Sequence, residues 1–244
     1  MDVAIQSNRP NQLKNKVTLS MIVHNEADRY LCKALLMHRE YIQEAVIIDD
    51  GSTDNTAEIC KDLLHGIPLR LITNAKSAFH NEVELRQQQW RETISGNPDW
   101  ILNLDADEMF ESNAKNMIQE IVSQTDYDAI YFRLYDMWSE THYRDDAYWS
   151  AHQSYRPFLV RYRPEINYTW KQTPQHCGRF PLEVAHFSYW CHPLRIKHYG
   201  WAKEQDRRHK YERYMKLDSE MKYGWKEQYE SILDENPHLV HWDN

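Results

Sequence analysis

The stretch WILNLDADEMF, Trp100 to Phe110, places a cluster of carboxylates directly after an apolar run. Its apolar first half is typical of a buried β-strand. Asp105, Asp107 and Glu108 follow at once. Burying a charge costs free energy and neighbouring carboxylates repel each other, so the sequence around this stretch has to explain what offsets their charge.

The sequence before this stretch alternates between strand and helix patterns. Short apolar runs at 17–23, 45–49 and 69–72 predict strands, and helical patterns at 27–42, 57–65 and 79–95 separate them from each other and from the strand at 100–104. Such alternation predicts an α/β protein with a mostly parallel central sheet and helices on both faces.

Polar motifs follow three of the predicted strands. HNE (24–26) follows the first strand, DDGSTD (49–54) the second and DADE (105–108) the fourth. Ligands of open parallel sheets bind at the carboxyl ends of the strands, so these motifs converge on one predicted site.

The second half continues the pattern with less regularity. It predicts a helix at 112–124, strands at 129–138, 156–162 and 194–198, a charged helix at 202–221 and a short last helix with a break at Pro237. We expect a flexible arm at 1–16 and one domain at 17–244, in three parts at 17–112, 113–200 and 201–244, the last made of C-terminal helices.

Composition limits the classes of function. The 244 residues are 41% hydrophobic and 27% charged, as in ordinary globular proteins, and the net charge of -8 disfavours a nucleic-acid partner. No leader pattern and no apolar run of the roughly 18 to 20 residues that span a membrane is present, which predicts a cytoplasmic protein. Four cysteines without a CxxC pair predict reduced, structural thiols. Apolar faces on the terminal helices leave a homodimer open.

The motifs that are missing narrow the chemistry further. Only six glycines occur, and none forms GxGxxG or GxxxxGK[ST], so the usual glycine-rich phosphate cradles are absent. A bound phosphate must then be neutralised in another way. A divalent cation held by Asp105 and Asp107 is the simplest candidate.

Three segments in this order, SMIVHNEADRYLCKAL (20–35), AVIIDDGSTDNTAEI (45–59) and WILNLDADEMF, resemble the nucleotide-binding half of family 2 glycosyltransferases with the GT-A fold. The resemblance covers about residues 17–112. It implies that this part is the nucleotide-sugar-binding half of the domain and that 113–200 is the acceptor half. It implies a metal-dependent, inverting transfer of a sugar from a nucleoside-diphosphate sugar, with a UDP-sugar favoured. The acceptor would be a saccharide, a protein or a small molecule.

The resemblance also implies a binding role for several residues. The backbone near Val23, with Asn25 and Glu26, would line the nucleoside pocket, and Asp50 would meet the base or ribose. Arg86 matches the arginine of the family's Ala-Arg-Asn stretch, although Gln87 stands where asparagine is usual.

The implied metal site combines both halves of the chain. Asp105 would face the ribose and the metal shell, Asp107 would ligate Mn²⁺ or Mg²⁺, and His198 in LRIKHYGW would complete the ligand set. Lys203, Arg207 and Arg208 on the following helix could approach the diphosphate, but a solvated helix face is the favoured interpretation.

Inversion also requires a base that deprotonates the acceptor hydroxyl. In some relatives a His-Glu pair lies between late strands. In QHCGRFP, His176 matches it and Cys177 stands in place of the glutamate. Asp145, Asp146 and Glu183 are further candidates, and we favour His176 or Asp146.

Two other classes of function stay open. An aspartyl phosphotransferase or phosphatase could use LNLDADE as a nucleophile loop, although its strand would be the fourth instead of the first. A catalytically silent sugar-nucleotide-binding protein would keep the fold and lose turnover. A zinc site is disfavoured because the spacing of its four candidate ligands matches no standard pattern, the candidates being Cys177, His186, Cys191 and His192.

Overall fold

The computed structural model describes residues 15–218, 220, 222 and 224–243. Most of the arm predicted at 1–16 therefore lies outside the described residues. Its last two residues are held in place, because the backbone N–H groups of Asn15 and Lys16 donate hydrogen bonds to the carboxylate of Asp99.

Strands and helices alternate through the first half as predicted. The strands are β1 (Val17–Val23), β2 (Glu44–Asp49), β3 (Leu69–Thr73), β4 (Trp100–Asn103), β5 (Glu108–Phe110), β6 (Ala129–Asp136), β7 (His142–Arg144), β8 (Tyr155–Arg161), β9 (Tyr189–His198) and β10 (Leu239–His241). The helices are α1 (Leu31–His38), α2 (Thr56–Leu63), α3 (Glu82–Ile94), α4 (Ala114–Ser123), α5 (Glu204–Leu217) and α6 (Lys226–Ser231).

Eight strands form one sheet in the spatial order β3-β2-β1-β4-β8-β6-β9-β5. Four of the seven neighbouring pairs are parallel and three are antiparallel, which confirms the α/β class and the mostly parallel sheet. β7 and β10 form a separate antiparallel pair.

Helices cover both faces of the sheet because alternate strand residues are apolar on each side. Ile47 and Leu102 point into a core that includes α1, α2 and α4. Their neighbours Ile48 and Ile101 point to the opposite face, where they pack in clusters with residues of α3. All five residues of the predicted α1 stripe are buried, although the last of them follows the end of the helix: Leu31, Ala34, Leu35, His38 and Ile42.

The loop between β4 and β5 requires a curled sheet. In the strand order, β8, β6 and β9 separate these two strands, so a flat sheet would hold them about 19 Å apart. The five residue steps from Asn103 to Glu108 span at most about 18 Å when fully extended. This segment also contains a turn, in which the Glu108 N–H donates to the Asp105 carbonyl. The sheet therefore bends so that its β5 edge approaches the end of β4.

The second half differs from the prediction at several points. β9 begins at Tyr189, five residues before the predicted strand start at 194. The short helix α6 is followed, after Pro237, by the unpredicted strand β10, which pairs with the equally unpredicted β7. These two strands have three residues each, too few for a period-two pattern to stand out. The predicted end of the charged helix at 221 lies outside the described residues.

Candidate active site

A cavity of about 260 Å³ lies at the carboxyl ends of β1, β4 and β9. Side chains from three strand ends, from α3 and from α5 enclose it. Its lining consists of Ile22, His24, Glu26, Arg29, Phe79, Glu82, Leu85, Arg86, Asp105, Ala106, Asp107, Gln175, His176, His198, Trp201, Lys210, Arg213 and Tyr214. The structure thus brings the HNE and DADE motifs together with residues of the second half. We call this space the donor cavity.

The acidic centre of the donor cavity is Asp107. Its Oδ1 lies 3.6 Å from His198 Nε2, and its Oδ2 lies 3.6 Å from Lys210 Nζ. The strand register explains the approach of His198, which pairs with Glu108 across β5 and with Asp136 across β6. On its other side, His198 Nδ1 lies 2.7 Å from Asp136 Oδ1.

These contacts determine how both groups are charged. Burial acts to raise the pKa of Asp107, but the positive charges of Lys210 and His198 outweigh it and hold the pKa below the ordinary value. Burial acts to lower the pKa of His198, but the carboxylates of Asp107 and Asp136 outweigh it and raise the pKa. The Asp107 carboxylate is therefore ionised at neutral pH, beside the Lys210 ammonium group and the His198 imidazole.

Gly200 makes this close approach feasible. A Cβ atom at this position would lie 2.6 Å from His198 Nε2 and would also collide with Lys210 Nζ and Asp107 Oδ2. Carbon atoms are not tolerated at such distances, so only glycine leaves the space between these three side chains open.

Asp105 belongs to a different network. Its two oxygens lie 3.3 Å from Arg86 Nη2 and 3.4 Å from Arg179 Nη2. Arg179 also lies 2.6 Å from Glu108 Oε1, while Glu108 Oε2 accepts a hydrogen bond from the Asp105 backbone N–H. Burial acts to raise the pKa of Asp105, but the guanidinium groups of Arg179 and Arg86 outweigh it and hold the pKa well below its usual range. Burial raises the pKa of Glu108.

The residues of the predicted metal site take part in two different networks. The Asp105 carboxylate contacts two arginines, whereas Asp107 and His198 face each other. Within the described residues, no group of three or more His, Cys, Asp or Glu side chains is arranged to hold a metal ion, and the four candidate zinc ligands do not form such a group.

Asp107 and His198 nevertheless fit a cation with two protein ligands. When the Nδ1–H of His198 donates to Asp136, the Nε2 lone pair is left facing the Asp107 carboxylate. A carboxylate behind the histidine is the usual arrangement around metal-binding imidazoles. A bound diphosphate would have to supply further oxygen ligands.

Only some of the residues predicted to contact the nucleoside line the donor cavity. Val23 is buried, and its carbonyl accepts the backbone N–H of Asp50. The Asp50 carboxylate is fully buried and accepts hydrogen bonds from Asn74, Ser77 and the Ala78 N–H. Neither residue lines the donor cavity. Both instead hold the backbone segments next to the cavity in place through hydrogen bonds.

The first motif contributes other side chains to the lining. Asn25 adopts a φ of 53° and its Oδ1 accepts the Thr53 N–H, which ties the first motif to the second. His24 lines the cavity beside Phe79, with ring centroids 5.7 Å apart. The sequence offered no basis for choosing Phe79, because it lies in an irregular segment before α3.

Glu26 is the least compensated acid of the donor cavity. Its Oε1 pairs with Arg29 at 2.9 Å, whereas its buried Oε2 has no hydrogen-bond partner among the described residues. Burial and the nearby charge of Asp107 raise the pKa of Glu26 to about 8. At neutral pH this side chain is mostly protonated, so it can donate a hydrogen bond to a ligand.

The two favoured base candidates differ in their position relative to the donor cavity. His176 is exposed and lines the donor cavity. Asp146 accepts a 2.6 Å hydrogen bond from Arg144 and a second from the Tyr148 N–H. Asp146 is thus engaged in supporting β7, and it is not among the residues that line the cavity.

Three charged residues of the site were missed by sequence reasoning. Arg179 lies 71 residues from Glu108 in the chain, so no local pattern connects them. Lys210 lies one helical turn after Asp206 on α5, a spacing that would have placed both on one helix face, whereas the helix residues chosen from the sequence were Lys203, Arg207 and Arg208. Asp136 ends β6, and a carboxylate at a strand end was a usable signal.

Known proteins share both the sequence pattern and the fold. The model of Glycosyl transferase family 2 matches residues 18–180, more than half of the chain. The uncharacterized glycosyltransferase MG060 of Mycoplasma genitalium is 26% identical over 137 residues, which cover 55% of this chain and 41% of that protein. Its Mycoplasma pneumoniae homolog is 30% identical over 105 residues, 40% of this chain and 32% of that protein. The chain therefore spans less than half of these relatives.

Solved structures show the same fold at low sequence identity. TarS of S. aureus (residues 1–349), in complex with UDP-GlcNAc, matches with a TM-score of 0.53 at 13% identity, over 89% of this chain and 70% of that chain. No helix in the described part of the chain has the length and apolar character to cross a membrane. The match of the family model over the three motifs that line or support the donor cavity shows that the chain belongs to glycosyl transferase family 2.

Proposed function

We propose that the protein is a metal-dependent, inverting glycosyltransferase that moves a sugar from a nucleoside-diphosphate sugar to an acceptor. The observation that carries this proposal is the approach of Asp107 and His198 to 3.6 Å at the carboxyl edge of the sheet, beside Lys210. Membership of the family and the fold shared with a UDP-GlcNAc-bound TarS support a UDP-sugar as the donor.

The chain's own residues would bind the donor diphosphate. Lys210 and Arg213 on α5 line the donor cavity opposite the DADE loop, and Arg86 lies beside Asp105. Their positive charges offset the charge that develops on the diphosphate as the bond between the sugar C1 and the phosphate oxygen breaks. A Mn²⁺ or Mg²⁺ ion held by Asp107 and His198 would add Lewis-acid stabilisation of the same leaving group.

His176 is our proposed base. Its Nε2 lies 3.2 Å from the Tyr229 hydroxyl, and that hydroxyl donates its proton to Asp218 Oδ2. A phenol has one proton to donate, so Tyr229 accepts from His176, and the proton of the neutral imidazole lies on Nε2. The Nδ1 lone pair then takes the proton of the acceptor hydroxyl while its oxygen attacks C1 of the sugar.

The aspartyl phosphotransferase alternative gains no support from this geometry. A nucleophilic carboxylate needs one oxygen that is open to the phosphorus atom. Each Asp105 oxygen is paired with an arginine, and the two Asp107 oxygens face His198 and Lys210. The catalytically silent alternative makes the same predictions for binding and differs only in turnover.

A thermal-shift panel of nucleotide sugars, with and without Mn²⁺, tests donor binding. We expect one donor to stand out, because a ligand at a hundredfold excess over its dissociation constant adds about 2.7 kcal/mol to the free energy of unfolding. Asp107→Asn should lose the Mn²⁺-dependent shift, whereas Asp62→Asn, on the exposed side of α2, should keep it. A panel without any shift, or a full shift in Asp107→Asn, would overturn the proposal.

Turnover of the donor identified in this way tests catalysis. His176→Ala should lower the transfer rate by about 10²–10⁴-fold and leave the donor-induced shift unchanged. Asp146→Asn should keep the transfer rate of the unaltered protein, once the rate is expressed per folded molecule, because Asp146 does not line the cavity. Donor binding without any sugar release, under all acceptors supplied, would instead favour the silent protein.

A further inference from the structure

A second cavity adjoins the donor cavity. Its volume is about 420 Å³, within the range of roughly 300–1,000 Å³ that is usual for small-ligand sites. It shares His176, His198, Trp201 and Tyr214 with the donor cavity. A molecule bound there would therefore contact the proposed base, His176.

Aromatic rings dominate the walls of this second cavity. Six of its lining residues carry an aromatic ring in addition to histidine: Tyr148, Trp149, Trp201, Tyr214, Trp225 and Tyr229. Trp149, Trp201 and Tyr229 are buried and form the floor, whereas Trp225 is 50% exposed. Tyr148 and Trp225 meet edge to face at 5.0 Å, so together they form an open aromatic rim.

The rim is not explained by the packing of the core. The indole of Trp149 donates its N–H to Ser231 Oγ, which accounts for one buried tryptophan. Trp225 instead leaves half of a large ring facing solvent, immediately before the short helix α6. Contiguous apolar surface can mark a ligand-binding groove, and the exposed ring of Trp225 is continuous with the aromatic lining of this cavity.

The charges around this cavity are few and of both signs, which disfavours a strongly anionic ligand. Apart from tyrosines, its ionisable lining residues are Asp136, Arg156, His176 and His198. The Asp136 carboxylate is paired with His198 at 2.7 Å. Arg156 is the only arginine or lysine among the described residues that line the cavity. The remaining polar groups are hydroxyls and an amide, from Ser150, Ser154 and Gln228.

We propose that this aromatic cavity is the acceptor site and that its ligand is a neutral saccharide. The C–H face of a sugar ring carries a slight positive charge and packs on the negative face of an aromatic ring, while hydroxyl and amide side chains bind the sugar hydroxyls. A neutral saccharide matches all three features of the cavity: the aromatic rings, the small number of charged groups and the exposed rim. The assignment of the cavity to the acceptor rests on the proposed function, whereas its affinity for saccharides does not.

Trp225 is the residue through which the site can be tested. Binding of maltose, cellobiose and N,N′-diacetylchitobiose to the full chain would be measured by calorimetry, with UDP and Mn²⁺ present. At least one of these disaccharides should bind, and Trp225→Ala should weaken that binding about tenfold, the loss of one ring contact. Trp225→Phe should restore most of the affinity, and UDP affinity should stay constant in both variants.

Matched controls make the outcomes distinct. Tyr189→Ala removes another exposed aromatic ring, 54% exposed on β9, and should leave saccharide affinity unchanged. Glucose 6-phosphate and a short serine-containing peptide serve as competing probes. The inference is overturned if no disaccharide binds, if Trp225→Ala binds as well as the unaltered chain, or if only the phosphate or peptide probe binds. Saccharide binding without UDP binding would overturn the proposed function and leave the saccharide site standing.

Discussion

Gly200 shows how a single residue controls the charged centre of the donor cavity. Asp107, His198 and Lys210 come from a strand-end loop, a strand and a helix, and they meet over the one position that lacks a side chain. The space between these three side chains depends on the missing Cβ of Gly200.

We expect Gly200→Ala to abolish Mn²⁺-dependent nucleotide binding and to lower transfer by a hundredfold or more, because the added methyl group occupies the space between these side chains. Gly96→Ala is the matched control, since a Cβ there would meet the Glu44 side chain at 3.4 Å, an ordinary contact distance. Calorimetry with UDP and Mn²⁺ measures the loss. Normal UDP affinity in Gly200→Ala would show that the ligand lies elsewhere.

At the same scale, the sequence predicted which residues meet in the donor cavity better than it predicted their contacts. Asp107 and His198 could be selected because each stands at the end of an apolar run, and the structure brings them to 3.6 Å. The contacts of Asp105 with Arg86 and Arg179 could not be predicted, because these arginines lie 19 and 74 residues away in the chain. Ion pairs between distant positions produce no periodic pattern in the sequence.

At the scale of elements, α1 buries an ionisable group that the site does not use. His38 in its last turn is fully buried, with Nδ1 2.5 Å from the Tyr41 hydroxyl. Burial lowers the pKa of His38 to about 3. The folded chain therefore holds this ring neutral under conditions in which the unfolded chain protonates it.

This difference predicts a loss of stability in acid. Between pH 6.5 and pH 3 the unfolded state binds the additional proton, so the free energy of unfolding falls as the pH falls, by ~2 kcal/mol at pH 5 from this group. His38→Gln should remove that part of the pH dependence, measured by urea unfolding at pH 7 and pH 5. His65→Gln, which replaces an exposed histidine, should not. Parallel pH profiles for His38→Gln and the unaltered chain would contradict this account.

The elements of the first half were predictable because periodicity and turn motifs agree there. Ile47 and Ile48 pack on opposite faces of the sheet, and the residues at helical spacing from Leu31 to His38 are buried. The second half was harder, because β7 and β10 have three residues each and gain their pairing only from each other. The aromatic residues between them are core in one place and cavity wall in another, which composition cannot distinguish.

At the scale of the whole molecule, the sheet joins the two halves of the chain. β9, from the second half, pairs with β6 on one side and with β5 on the other. The family model ends at residue 180, before β9 begins. The division into a donor half and an acceptor half remains a prediction about function, because no boundary of the sheet follows it.

We therefore expect a chain truncated after residue 187 to aggregate when it is expressed. Without β9, the edges of β5 and β6 would be unpaired, and exposed strand edges promote association between chains. A chain truncated after residue 224 keeps the complete eight-stranded sheet and should stay folded. Size-exclusion chromatography and circular dichroism compare the two, and a monomeric, folded 1–187 fragment would show that β9 is dispensable.

The short loop between β4 and β5 also has a consequence for the order of events during synthesis. The strand before the loop that carries Asp105 and Asp107 pairs with β1 and β8, and the strand after it pairs with β9. The pairing at the second end therefore forms only after the ribosome has released Tyr189–His198. We expect a nascent chain to assemble β1, β2 and β3 early and to acquire affinity for nucleotide abruptly, once β9 has been released.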